Sequence, residues 1–157
     1  MTTSQWLLMF HVTGAFLFIG ASVTAAVLNT LALRAELPSG TALHLRVIRL
    51  TLPLIGIGLF LTLVLGLWLV HTDGYSYGSF WVSAAVVLWV ISSALGGLGG
   101  RHQQKARELA ERLAAAGDAS SDELRALLRD PKGNALSWLA GLAGLLILID
   151  MIWKPGA

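Results

Sequence analysis

The sequence predicts an all-α membrane protein, a polytopic four-helix bundle with a short cytoplasmic helical hairpin between its third and fourth helices. Three observations predict it. Apolar runs cover residues 6–33, 47–70, 79–98 and 135–153, each near or above the roughly 20 residues a helix needs to cross about 30 Å of hydrocarbon. A mean hydropathy of +0.71 over 157 residues leaves too little polar surface to wet four such helices in a soluble domain. Finally, ten of the eleven Lys and Arg lie in the first and third connections. The whole chain, 1–157, reads as one membrane domain with an insert at 101–134.

Orientation follows from those charges. Arg34, Arg46 and Arg49 fall between spans one and two; Arg101, Lys105, Arg107, Arg112, Arg125, Arg129 and Lys132 fall between spans three and four. Basic connections resist translocation, so both are expected in the cytoplasm with both termini outside, in a bacterial inner membrane. The net charge of +2 therefore reflects topology, and no aromatic-studded basic surface points to nucleic acid. With no cysteine, disulfides and thiolate sites are excluded. Span one is too long for a signal-peptide core and no basic segment precedes it, so it is expected to remain in the protein.

Span one opens at Trp6 and ends near Arg34. His11, Gly14, Phe18, Ser22, Ala25 and Asn29 share a stripe at three-and-four spacing, and a small, polar stripe is expected to face other helices. The segment 36–40, with Pro38, reads as a turn. Span two carries Pro53 in its expected first turns, where the missing N–H costs least. Gly58, Thr62 and Gly66 repeat every four positions, a close-packing seam. Turn formers fill 71–78. Span three ends in the cluster Gly96, Gly97, Gly99 and Gly100, which permits close helix contact or a break.

The insert reads as two short helices. In the first, Ala106, Leu109, Ala110, Leu113 and Ala114 recur at helical spacing before Gly117. The second opens with a capping box at Ser120-Ser-Asp-Glu123 and aligns Leu124, Leu127 and Leu128 before Pro131. That stripe either lies on the inner leaflet, docks a partner or packs back under the bundle. Trp6, Trp68, Trp81 and Trp153 fall at the expected outer boundary, with Tyr75 and Tyr77 just above.

Chemistry-bearing residues gather toward that outer side. His11 lies about 7–8 Å inside Trp6 on a helix; His71 closes span two, Asp73 follows it, and span four adds Asp150 and Lys154. Ionisable groups inside a membrane are costly and mark functional sites. His11 and His71 would supply two imidazoles to haem b, or with Asp150 or Asp73 a Cu(II) or Zn(II) site. The plainer readings stay open. Asp150 and Lys154, four apart, would form an interfacial ion pair; His71 would be a solvated helix end; His11 would donate to a carbonyl. His44 and His102 read as interfacial. No phosphate loop, HExxH or nucleophile elbow is present, and no chain of acidic residues crosses the bilayer.

Trp6-Leu-Leu-Met-Phe-His11-Val-Thr-Gly14-Ala resembles the opening LxxLHVxGA of an uncharacterised bacterial family of small predicted integral membrane proteins. Ile149-Asp-Met-Ile-Trp-Lys-Pro155 resembles that family's closing MxxKP, and Leu65-Gly-Leu-Trp68 its glycine-containing second helix. The family looks related to the membrane domains of copper-resistance protein D and of HemJ, a haem-dependent protoporphyrinogen oxidase, which also place a histidine early in the first helix. The resemblance implies a haem or copper role for His11 and a family-type tail at Lys154 and Pro155. The longer HemJ pattern of histidines and lysine is not fully reproduced, so its oxidase activity is not carried over.

The leading expectation is a protein that binds haem b, or copper, near its outer face for electron transfer or cofactor handling. The competing class is a non-catalytic accessory or assembly subunit, bound in a homo-oligomer or larger membrane complex. A small transporter subunit comes last, because four short helices enclose little volume.

Overall fold

Thr2 starts the first helix by a capping box. Its hydroxyl accepts the Gln5 amide at 3.3 Å while the Gln5 side chain accepts the Thr2 amide at 2.9 Å. The computed structural model describes residues 2–156. It holds α1 (Thr3–Arg34), α2 (Pro38–Thr72), α3 (Phe80–Ala115), α4 (Asp122–Leu128) and α5 (Pro131–Trp153), with no strand among the described residues. Four helical stretches are long and apolar enough to cross a membrane, the fourth being α5 with α4 ahead of it. Large apolar side chains such as Phe16, Trp138 and Ile152 point out of the bundle, as lipid-facing positions do.

Two elements depart from the sequence expectation. Pro38 does not sit in a turn running to residue 40: it is the first residue of α2, where a missing N–H and a fixed φ suit a helix start. The link shrinks to residues 35–37, and α2 begins well before residue 47. Pro53 is consequently an interior residue, not a first-turn one. The carbonyl it leaves free belongs to Arg49, and the neighbouring Thr51 hydroxyl bonds the Ile48 carbonyl at 2.7 Å, the kind of local rearrangement that lets membrane helices carry proline.

The glycine cluster resolves as close contact. α3 runs unbroken through Gly96–Gly100 for 36 residues, about 54 Å, so the first arm of the expected hairpin is the far end of the membrane helix. In hydrocarbon a broken helix would leave backbone groups unpaired, which outweighs the poor helix propensity of glycine. Gly99 lets α5 approach: a Cβ there would lie 2.7 Å from Ser137 Oγ. The Ser92 hydroxyl adds a 3.0 Å bond to the Ala140 carbonyl.

The bundle is two antiparallel pairs, α1 with α2 and α3 with α5, joined along α2 and α3, and α1 meets α5 where the Phe18 ring seats on Gly144. The expected seam is real. A Cβ on Gly14 would meet Leu61, Gly58 and Thr62, and one on Gly58 would meet the Phe18 backbone. At one end (the basic end) lie the 35–37 link and α4; at the other (the loop end) lie residues 73–79 and Lys154. At the basic end Leu124 is buried against Ala42, Leu109 and Ala110, with Leu127 and Leu128 packed alongside. Of the readings open for that leucine stripe, packing back under the bundle is the one formed. Asp118, in the left-handed region at φ 60°, reaches from the α3–α4 link to the start of α2, taking the Ser39 amide at 2.7 Å and hydroxyl at 2.6 Å.

Candidate functional site

His11 sits on the interior stripe of α1, opposite Gly66 of α2. A Cβ on Gly66 would stand 2.9 Å from the His11 Cε1 and 3.2 Å from its Nδ1, so only glycine leaves room for the ring. The Thr62 carbonyl faces the imidazole one turn away, yet no well-formed hydrogen bond reaches the buried Nδ1. Thr62 spends its hydroxyl on the Gly58 and Leu59 carbonyls, both at 2.9 Å.

The ring borders a cavity of about 90 Å³ between the two helix pairs, walled also by Thr62, Gly66, Trp81, Trp89 and Met151, with no Asp, Glu, Lys or Arg on the lining. The two indoles differ. Trp89 Nε1 donates to the Leu59 carbonyl at 3.0 Å and ties α3 to α2. Trp81 is 3% exposed, and its Nε1 is buried with no acceptor. Leaving such a group unpaired costs about 1–3 kcal/mol. Two residues that line this largely apolar cavity, His11 and Trp81, thus each carry a buried ring nitrogen without a partner, Nδ1 and Nε1.

The loop end closes over Trp81. Tyr75 meets the indole edge-on at 5.5 Å between centroids. Lys154 Nζ stands 4.6 Å from the Tyr75 ring centre and 5.4 Å from that of Trp81, and donates to the Tyr75 hydroxyl at 3.4 Å. The expected Asp150–Lys154 ion pair is not formed. α5 stops at Trp153 and Lys154 turns into the left-handed region at φ 42°, so its side chain leaves the face on which residues four apart meet. Only backbone joins the two, the Lys154 amide to the Asp150 carbonyl at 2.8 Å.

The other expected residues are not drawn to the cavity. His71 and Asp73 are exposed and off its lining: five residues at 100° each carry His71 about 140° around α2 from Gly66. Asp150 is next to the cavity residue Met151 but off the lining, with Oδ2 buried and unpartnered. Haem b is therefore a poor fit to these residues. His71 is not placed to be a second axial ligand, and 90 Å³ is far below the roughly 300–1,000 Å³ of pockets for molecules of drug size. Among the described residues no three of His, Asp, Glu or Cys converge as a metal site, so copper on His11, His71 and Asp150 has no assembled donor set either.

The basic end holds a polar cluster that sequence reasoning missed. His102, read as interfacial, lies inside the α3–α4–α5 corner, with Nε2 2.8 Å from the Leu127 carbonyl and Nδ1 3.6 Å from Asp130. Gly133 abuts the ring so closely that any Cβ would overlap it. The Gly133 amide, ahead of the Lys132 amide and His102, holds the Asp130 carboxyl below the usual carboxylate range. The available signal was Asp130-Pro131, an N-cap followed by a first-turn proline. His44 Nδ1 is likewise buried and unpartnered.

The chain matches the DUF2269 family, described as a predicted integral membrane protein, over residues 5–155, and it belongs to that family. No curated protein and no solved structure matches it. The match carries the membrane family alone and lends nothing to the likeness to copper-resistance protein D or HemJ.

Proposed function

We propose that this integral membrane protein handles a small, neutral, lipid-soluble ligand in the His11 cavity, the ligand bringing at least one hydrogen-bond acceptor. The observation that carries the reading is that two residues lining one uncharged cavity, His11 and Trp81, each hold a buried ring nitrogen, Nδ1 and Nε1, without a partner. Trp81 can only donate, so the ligand must accept there; His11, as a neutral imidazole, donates or accepts at Nδ1 according to its tautomer. An uncharged lining selects against ions, whose desolvation nothing on the wall would offset. By the distribution of basic residues, the cavity lies in the outer half of an inner membrane with both termini outside.

This keeps the cofactor-handling role expected from the sequence and moves it off haem. An accessory role resting on the α4 leucine stripe is less favoured, because that stripe is used inside the fold.

The test is extraction and mass spectrometry of small molecules retained by protein purified in lipid nanodiscs, comparing parent, His11→Ala and Gly66→Ala, with circular dichroism to confirm folding. The parent should retain a discrete non-bulk species. His11→Ala should lose it about fivefold to tenfold, as expected for one hydrogen bond, and Gly66→Ala should lose it because the added methyl drives the ring into the cavity. Equal retention in all three, or none in the parent, overturns the proposal, and a Soret band that His11→Ala abolishes would return the site to haem.

A further inference from the structure

At the basic end a second pocket, about 280 Å³, opens between the α1–α2 link and α4. Its lining includes the buried Leu124 and the half-buried Leu128, with Arg125 and Arg129 from the α4 side and Glu36 from the link, all three exposed. Opposite charges therefore share one pocket, yet neither arginine pairs with Glu36 within salt-bridge distance. Arg129 has no side-chain partner among the described residues, and Arg125 holds only the fully exposed Asp122 at 3.3 Å and the Ser120 hydroxyl, contacts that exchange readily.

The pocket lies where the apolar run of α1 gives way to Arg34, at the depth of lipid headgroups. Leu33 and Leu37, at its mouth, are 38% and 56% exposed, so apolar surface leads from the bilayer to the charged rim. A purely anionic headgroup would satisfy the guanidinium groups but face Glu36. A choline headgroup would bring a cation with no N–H to donate to Glu36.

We infer that this pocket binds an aminophospholipid headgroup, its phosphate on Arg125 and Arg129 and its primary ammonium on Glu36. Guanidinium forks match phosphate oxygens, an ammonium donates to a carboxylate, and such charge-assisted bonds are the strong ones. The site is independent of the His11 cavity, which lies toward the opposite end of the bundle.

The experiment is native mass spectrometry of the full chain released from nanodiscs of mixed phosphatidylethanolamine, phosphatidylglycerol and phosphatidylcholine. The parent should retain phosphatidylethanolamine over each of the others roughly tenfold. Glu36→Gln, an exposed and conservative change, should remove the preference over phosphatidylcholine and raise phosphatidylglycerol. Arg129→Lys should weaken retention and Arg129→Ala abolish it, with unchanged circular dichroism. Soluble phosphoethanolamine, lacking the acyl chains, should not displace the lipid at millimolar concentration. A parent preference for phosphatidylglycerol, no response to Glu36→Gln, or displacement by phosphoethanolamine overturns the inference.

Discussion

Gly58→Ala should separate the α1–α2 pair, and its size can be worked from the seam. The new Cβ would lie 2.6 Å from the Phe18 amide nitrogen, 2.7 Å from the Gly14 carbonyl oxygen and 2.9 Å from the Phe18 Cα. All three are backbone atoms in a helix, so no side chain can swing aside. Restoring ordinary contact, which begins at 3.4 Å, requires α1 to retreat by about 0.8 Å. A gap of 0.5–1 Å forfeits a quarter to a half of each contact worth about 0.1–0.2 kcal/mol. Over a few tens of contacts the loss is about 2–3 kcal/mol, within the usual cost of overpacking. In a membrane this loss is not offset by burial elsewhere, because lipid is as apolar as the seam. The control is Gly56→Ala on the same helix, whose Cβ would meet nothing within 4 Å and whose better helix propensity is worth up to about 1 kcal/mol. Thermal unfolding followed by circular dichroism in detergent should place Gly58→Ala about 4–12 °C below the parent, and Gly56→Ala at or above it. If both variants melt within about two degrees of each other, the seam does not hold the helices by close approach.

Three further outcomes follow from named contacts. Asp118→Ala, which frees the Ser39 amide and hydroxyl at the start of α2, should cost about 1–2 kcal/mol, as loss of a helix cap does; Asp118→Asn should cost less, since asparagine tolerates the left-handed backbone and keeps one acceptor, and denaturant unfolding separates them. Asp130, held below the usual carboxylate range by the Gly133 amide, should support the α4–α5 corner fully above the ordinary carboxylate pKa of about 3.9 and lose that support as pH falls through its lower folded value; hydrogen exchange of the Lys132 and Gly133 amides should therefore rise in acid, and Asp130→Asn should remove the pH dependence. A periplasm-active reporter fused after Ala157 should be active and one inserted at Gly117 silent, since ten of eleven basic residues lie in alternate connections; the reverse pattern would refute the assigned orientation.

What sequence could and could not show divides along a physical line. Membrane helices, their charge asymmetry and the Gly58–Thr62–Gly66 seam are one-dimensional patterns, because span length and the small-residue period are set by bilayer thickness and helix pitch. Each is visible without knowing a neighbour. The errors arose where two elements compete for one stretch of chain. Pro38 carries the same signal for a turn as for a helix start, and the choice turns on Asp118, eighty residues away, arriving to take the Ser39 amide. Gly96–Gly100 carries the same signal for a break as for close contact, and Ser137 of α5 decides it. The candidate site follows this rule. His11 was legible because a titratable residue inside an apolar run is conspicuous; its partner was not, because that partner is a glycine, which contributes only room. Depth along the helix suggests His71 and Asp150 as companions, but depth is one coordinate of three: rotation around α2 puts His71 outside, while the packing of α3 brings Trp81 onto the lining. Depth alone assigns Trp81 to the interfacial belt. Its unpaired N–H is a property of the assembled bundle, since an indole finds or lacks an acceptor only once the neighbouring helix is in place. A missing partner is thus defined only by the packing around it, and no pattern along the chain displays it.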